Sequence, residues 1–156
     1  MGRQGISQTD GGKDLIGFNP LLAPAPGSPV LSLLGRFRIR DGGGELDVCR
    51  TSQRLVAYVA LHPEGVGRDL VAGVLWPDSS EQRAHTCLRS ALSRLAHAAP
   101  KVMGGASVLR LDARVVVDLP CAQRLARQLL WRFFPADPET ISTWVNVLSQ
   151  DLLPGW

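Results

Sequence analysis

Between residues 79 and 99 the chain runs SSEQRAHTCLRSALSRLAHAA, with apolar positions recurring at three- and four-residue spacing, which predicts a helix. At about 100° per residue, Cys87, Ala98, Ala91, Ala84, Leu95, Leu88 and Leu92 share one arc. Arg89, Gln82, Ser93, Thr86, His97, Ser90, Arg83 and Arg94 share the other. The apolar arc is a core face. The opposite arc has no carboxylate, and the one nearby acid, Glu81, sits in the first turn, where it complements the helix dipole. Ser79 with Gln82, or Asp78 with Glu81, supplies a capping box for the start.

Upstream, VLSLLGRFRIR over 30–40 alternates Leu31, Leu33, Phe37 and Ile39 with Arg36, Arg38 and Arg40, the period of a half-buried strand. The glycine-rich DGGG turn and the alternating ELDV complete an expected hairpin. A first helix follows, with Thr51 as N-cap, Leu55, Val56 and Val59 on one face, His62 as a cap near its end, and Pro63 and Gly65 as the stop. A second, over 67–77, is expected to turn Leu70, Val71, Val74 and Leu75 inward and to end at Pro77. After the third helix, SVLRL, a DAR turn and VVVDL, 107–119, have the form of a second hairpin.

Strand, strand, three helices, strand, strand makes an α+β domain over 29–119. Residues 1–28, rich in Gly and Pro, form an expected disordered leader. Residues 120–156 have helical spacing at Ala122, Leu125, Ala126, Leu129, Leu130 and Phe133, and again at Ile141, Trp144, Val145 and Leu148. Trp131, Trp144 and Trp156 also fall there. Two helices cannot cover that surface alone, so the segment must pack on the preceding domain, pair with another chain, or begin something longer.

With 45% hydrophobic and 20% charged residues in 156, the composition is that of a globular protein. No run of about 18 apolar residues could span a bilayer. The N-terminus lacks the apolar stretch of a secretory signal, so a cytoplasmic location is expected. Cys49, Cys87 and Cys121 are odd in number and lack a C-x-x-C pair, so they are expected to be reduced and mostly buried. His85 and Cys87 would point about 160° apart on a helix, and no metal site is expected. No G-x-S-x-G, H-E-x-x-H, paired-carboxylate or triad pattern appears, and neither an enzyme nor a cofactor is expected.

The net charge is only +3, but of 17 basic residues only Lys13 and Lys101 are lysine. Arginine's planar fork suits phosphate and guanine edges. Together with the acid-free arc, this makes the third helix a candidate recognition helix for the DNA major groove, with Arg83, Thr86, Arg89, Ser90, Ser93 and Arg94 towards the duplex. A shorter helix precedes it across a Pro-containing turn, and a hairpin bearing Arg110 and Arg114 follows as a possible wing. The competing reading is a protein-interaction module that uses the tryptophan-rich tail.

Three phrases, LLGRFRIRDGGGELDV, SQRLVAYVALHPEGVGRDLVAGVLWPD and RAHTCLRSALSRL, resemble the DNA-binding domain of the Streptomyces antibiotic regulatory proteins over about residues 31–119. The resemblance implies an OmpR-type winged helix-turn-helix, and a transcriptional activator acting on secondary-metabolite genes. It also implies that Thr51 and Ser52, at the start of the first helix, meet a phosphate, and that Trp76, Pro77, Asp78, Ser79 and Ser80 form a loop touching RNA polymerase. Implied partners are promoter DNA with direct repeats, RNA polymerase holoenzyme through its sigma factor, and a second copy side by side on DNA. The tail, including DLLPGW, resembles the opening of the family's tetratricopeptide-like bacterial transcriptional activation domain. Where relatives are basic after the SRL phrase, this chain has AHAA.

Overall fold

The structure, a computed structural model, describes residues 27–42, 44–131 and 138–156. The leader expected over 1–28 lies outside these except for its last two residues. The described residues form a mixed α+β arrangement of five helices and two sheets. In chain order the elements are β1 (Val30–Ser32), β2 (Arg38–Asp41), β3 (Gly44–Glu45), α1 (Arg50–Ala60), β4 (Val66–Gly67), α2 (Arg68–Leu75), α3 (Glu81–Ala98), β5 (Met103–Gly104), β6 (Val108–Leu111), β7 (Val116–Val117), α4 (Asp118–Trp131) and α5 (Pro138–Leu148). Among the described residues no helix is long and apolar enough to cross a membrane.

The stretch expected as one strand over 30–40 is two. Gly35, at φ +73°, reverses the chain, and β1 pairs antiparallel with β2, Leu31 opposite Ile39. The inward side chains Leu31, Leu33, Phe37 and Ile39 are still buried, since both arms face the same core and the alternation runs through the turn.

The second expected hairpin is corrected more deeply. β6 pairs with β5 (Met103 opposite Leu111) and with β4 (Val66 opposite Leu109), whereas β7 crosses over to lie parallel to β1, Val30 opposite Val116. The sheets therefore run β3-β2-β1-β7 and β4-β6-β5. The true hairpin spans 103–111, and its reversal passes through Gly105 at φ +121°, where an added Cβ would collide with the Val108 carbonyl oxygen. Gly105→Ala is thus expected to cost about 1–3 kcal/mol and to move this turn, seen as a lower melting temperature.

α1 and α3 lie between the two sheets. On one side Val56 and Ala57 of α1 and Leu95 of α3 meet Leu31, Leu33 and Ile39. On the other, Leu55 and Val59 of α1 and Ala84, Leu88 and Ala91 of α3 meet Val71, Leu75 and Leu109. Met103 and Leu111 touch both clusters. Small side chains bring the helices close: Ala91 is fully buried, and its carbonyl accepts a 3.1 Å bond from the equally buried Ser52 Oγ. In α2 the buried residues are Val71, Ala72 and Leu75; Leu70 and Val74, expected inside, are 57% and 44% exposed. An eight-residue helix packed along one edge buries a single narrow stripe.

The tail packs on the preceding domain. The boundary expected at 119/120 falls inside the first turn of α4, where Asp118 is only 5% exposed. Its carboxylate accepts from Leu33 N–H at 2.9 and 3.0 Å and from Leu34 N–H at 3.1 Å, satisfying donors at the end of β1. Burial pushes this carboxyl above its ordinary value, and the backbone donors of Leu33 and Leu34 pull it back only in part. Ala122 and Leu125 are buried behind it. Farther on, Gly35 N–H donates to Asp151 O (2.8 Å) and Leu153 N–H to Leu33 O (2.9 Å), so the chain after α5 is stitched to the β1–β2 turn.

Candidate nucleic-acid interface

α3 sorts as its sequence predicts. Ala84, Leu88, Ala91 and Leu95 are buried, while Gln82, Arg83, Thr86, Arg89, Ser90, Ser93, Arg94 and His97 are exposed. The six side chains assigned to DNA on this helix therefore share one open face across about three turns of the helix, roughly 16 Å from Arg83 to Arg94 at 1.5 Å per residue. Among the described residues no carboxylate lies within 4.0 Å of Arg83, Arg89 or Arg94. The nearby acids are drawn to one flank instead, where His85 Nε2 stands 3.6 Å from Asp69 and 4.0 Å from Glu81.

One of the α3 arginines is pre-set. Thr86 Oγ1 donates back to Gln82 O at 2.9 Å and accepts from Arg89 Nη2 at 3.0 Å. Holding the guanidinium along the helix lowers the entropy lost when it engages a partner. Near the other end, Ser93, Arg94, Ala96 and His97 line a shallow open groove.

The start of α1 lies beside this end of α3. Cys49, the N-cap, is exposed; bonding with Ser52, side chain first and then amide, lowers its thiol, and the neighbouring Arg94 guanidinium lowers it further. None of the three cysteines is buried, contrary to expectation: the other two are half-buried, and all three are free. Thr51 is half-buried in the same turn, and the N-cap is Cys49 rather than Thr51. The hydroxyl of Ser52, by contrast, is fully buried and committed to Ala91, so only its backbone amide is left for the phosphate contact expected there.

The two arginines expected on the wing separate. Arg110 is on β6 with its side chain laid over Gly65, and its Nε donates to Glu64 O at 3.0 Å. Arg114 is not on the 103–111 hairpin at all. It sits in the connection to β7, clamped on Asp112 with Nε at 2.8 Å and Nη2 at 3.0 Å. Those bonds hold the Asp112 carboxyl down at about 2, and the charge of Asp41, on β2, also reaches Arg114. A guanidinium already satisfied by a carboxylate beside the first sheet does not belong to the α3 face.

Sequence reasoning overlooked Arg68. At the start of α2, its Nη2 donates 3.0 Å to Gly105 O and ties the hairpin turn to the helix that precedes α3. Its position opening a helix drew attention only to helix formation, and pairing it with Gly105 requires the corrected strand register.

The loop Trp76–Ser80 is the connection between α2 and α3. Trp76 and Ser79 are half-buried, Pro77, Asp78 and Ser80 are exposed, and Ser79 N–H donates to Trp76 O at 3.1 Å. Ser80 is the N-cap of α3 without a side-chain cap bond, so neither expected capping box forms. Arg54 Nη2 reaches Leu75 O at 3.5 Å, at the end of α2. Near the end of α1, His62 Nδ1 lies 2.7 Å from Tyr58 O, as a C-terminal cap requires.

Compared with protein-family models and with curated proteins, the chain matches none. The family resemblance therefore rests on the three phrases quoted above.

Proposed function

We propose that the protein is a sequence-specific DNA-binding transcriptional regulator of winged helix-turn-helix type, with α3 as the helix that enters the major groove. The observation that carries this reading is the division of α3: one face locked into the core, the other an open ridge of guanidinium and hydroxyl groups without a carboxylate among them. Guanine edges accept from Arg, and hydroxyls serve phosphates and bases. In this reading α1 and α2 brace α3, the 103–111 hairpin is the wing, and Arg110 stands on it. Arg83, Thr86, Arg89, Ser90, Ser93 and Arg94 face the bases and backbone, and Thr51 lies near a phosphate.

The resemblance to the antibiotic regulatory proteins extends the proposal to an activator at direct repeats, bound as adjacent copies, whose Trp76–Ser80 loop meets the sigma factor of RNA polymerase. The exposure of Pro77, Asp78 and Ser80 fits that contact. Residues 120–156 then correspond to the opening of the family's helical activation domain, and the working compartment is the cytoplasm. Genes under control would be those of a secondary-metabolite cluster.

A second reading has its own support. Leu130 is 82% and Val145 61% exposed, on α4 and α5, an apolar surface suited to a protein partner. Salt separates the two. Selection from a random duplex pool is expected to enrich a repeated half-site, with affinity falling by about 0.9 log unit per log unit of salt for each phosphate neutralised. Salt-independent association through the tail, with no enriched sequence, would favour the interaction module.

A further inference from the structure

The start of α1 carries a long cation that the DNA reading leaves unused. Arg50 is the first residue of α1, exposed, and next to the Cys49 cap that Arg94 of α3 approaches. In the proposed DNA reading the start of α1, with Thr51, lies along the backbone of a duplex seated on α3. Yet Arg50 is turned towards the end of the described chain: its Nη2 stands 3.4 Å from Gly155 O, and its guanidinium carbon lies 5.8 Å from the centre of the Trp156 ring.

The path that brings Trp156 there has a firm part and a loose part. The firm part is Asp151–Leu153, held by backbone bonds of 2.8 and 2.9 Å to the β1–β2 turn and by a Leu34–Leu152 bridge. Leu153 at φ 47° and Gly155 at φ 79° then reverse the chain and aim the indole back at α1. There Trp156 stacks on Phe37, ring centres 5.6 Å apart and planes 29° from parallel, but remains 45% exposed. Its hold on Arg50 is a long bond to a neutral carbonyl and a contact over an indole face. A phosphate offers the same guanidinium two short charge-assisted bonds.

We propose that Trp156 is a latch on Arg50, keeping a phosphate-binding side chain off the DNA until the indole is lifted. The inference rests on the DNA-binding reading of α3. Lifting the indole, by whatever binds its exposed face, adds one phosphate contact and strengthens binding with no change in base recognition. The firm anchor at Leu33–Gly35 keeps the rest of the tail in place while the latch opens.

The test uses the full chain and a short labelled duplex of mixed sequence, titrated across a salt series. Trp156→Ala is expected to bind about two- to fivefold more tightly at low salt, the size of an exposed cation–π contact removed. Its salt slope should steepen by about 0.9, one further phosphate. Arg50→Ala should keep the parent's slope, and Arg50→Ala combined with Trp156→Ala should lose the gain. An unchanged melting temperature for Arg50→Ala, an exposed site, keeps the double variant interpretable. If Trp156→Ala binds like a salt-sensitive parent, or if the double variant retains the gain, the latch is refuted while the DNA reading stands. If the parent itself shows no salt-dependent duplex binding, the DNA reading falls and the latch with it.

Discussion

Arg89→Ala combined with Arg94→Ala is expected to abolish recognition of the selected half-site while the protein melts as the parent does. Both side chains are exposed on the face of α3 opposite Leu88 and Ala91, so their removal opens no cavity. A bidentate arginine contact to a base pair contributes about 1–3 kcal/mol of discrimination, so losing two lowers specific affinity by about 30-fold or more. The residual binding should be non-specific, with a shallower salt slope. Of the two, Arg89 is expected to matter more for specificity because Thr86 already fixes its direction. Thr86→Val tests that point: it removes the anchor without touching charge, and should weaken specific binding while leaving non-specific binding nearly intact. Footprints of both variants identical to the parent's would remove α3 from the interface.

The second large effect is on stability. Asp118→Ala strands Leu33 N–H, which is buried, and Leu34 N–H, which is partly so, and each orphaned donor costs about 1–3 kcal/mol. A loss of roughly 2–4 kcal/mol and a melting point lower by roughly 10 °C are expected. The pH dependence has a definite sign. Burial raises the folded-state value of the Asp118 carboxyl above that of an unfolded chain, ~3.9. Its titration therefore contributes stability that is fully present below that unfolded value and is lost as pH rises through the folded one. Comparing Asp118→Asn with the parent from acid to neutral pH isolates the effect: the variant's stability should lack the downward component of the parent's curve. A parent curve that instead gains stability from Asp118 as pH rises, relative to the variant, would mean that the three backbone bonds outweigh burial.

The part of the molecule most legible in the sequence was α3, because eighteen residues give five turns over which the apolar and polar arcs separate cleanly. α1 was equally plain, its Leu55, Val56 and Val59 falling in the core where spacing placed them. α2 was found but half misfaced, since in eight residues Leu70 and Val74 satisfy the helical period as well as Val71 and Leu75 do. β4 and β5 were not found: two residues each, Val66–Gly67 and Met103–Gly104, carry no period at all. Missing them had a cost, because β6 then lacked its partners and was joined to β7 across the DAR turn. That error carried Arg114 onto the expected wing and hid the contact between Arg68 of α2 and the hairpin turn at Gly105. Ser52 shows a different limit. A serine in the first turn of a helix has the same local pattern whether it faces a phosphate or a neighbouring carbonyl, and only the approach of Ala91 decides.

The family resemblance and the physical reading meet on the same helix but are independent of one another. If α3 enters DNA, the promoter, the regulated genes and the polymerase contact become questions for transcription with purified components. If it does not, neither the resemblance nor the wing retains a function here.

The most direct measurement is a titration of the isotope-labelled protein with its selected duplex, followed by backbone amide shifts. The account predicts that the largest changes fall on α3 from Gln82 to His97, with smaller ones at the start of α1 and at the 104–107 turn, and that α4 and α5 change little. Shifts confined to α4 and α5, or an α3 whose amides do not respond to saturating duplex, would contradict it.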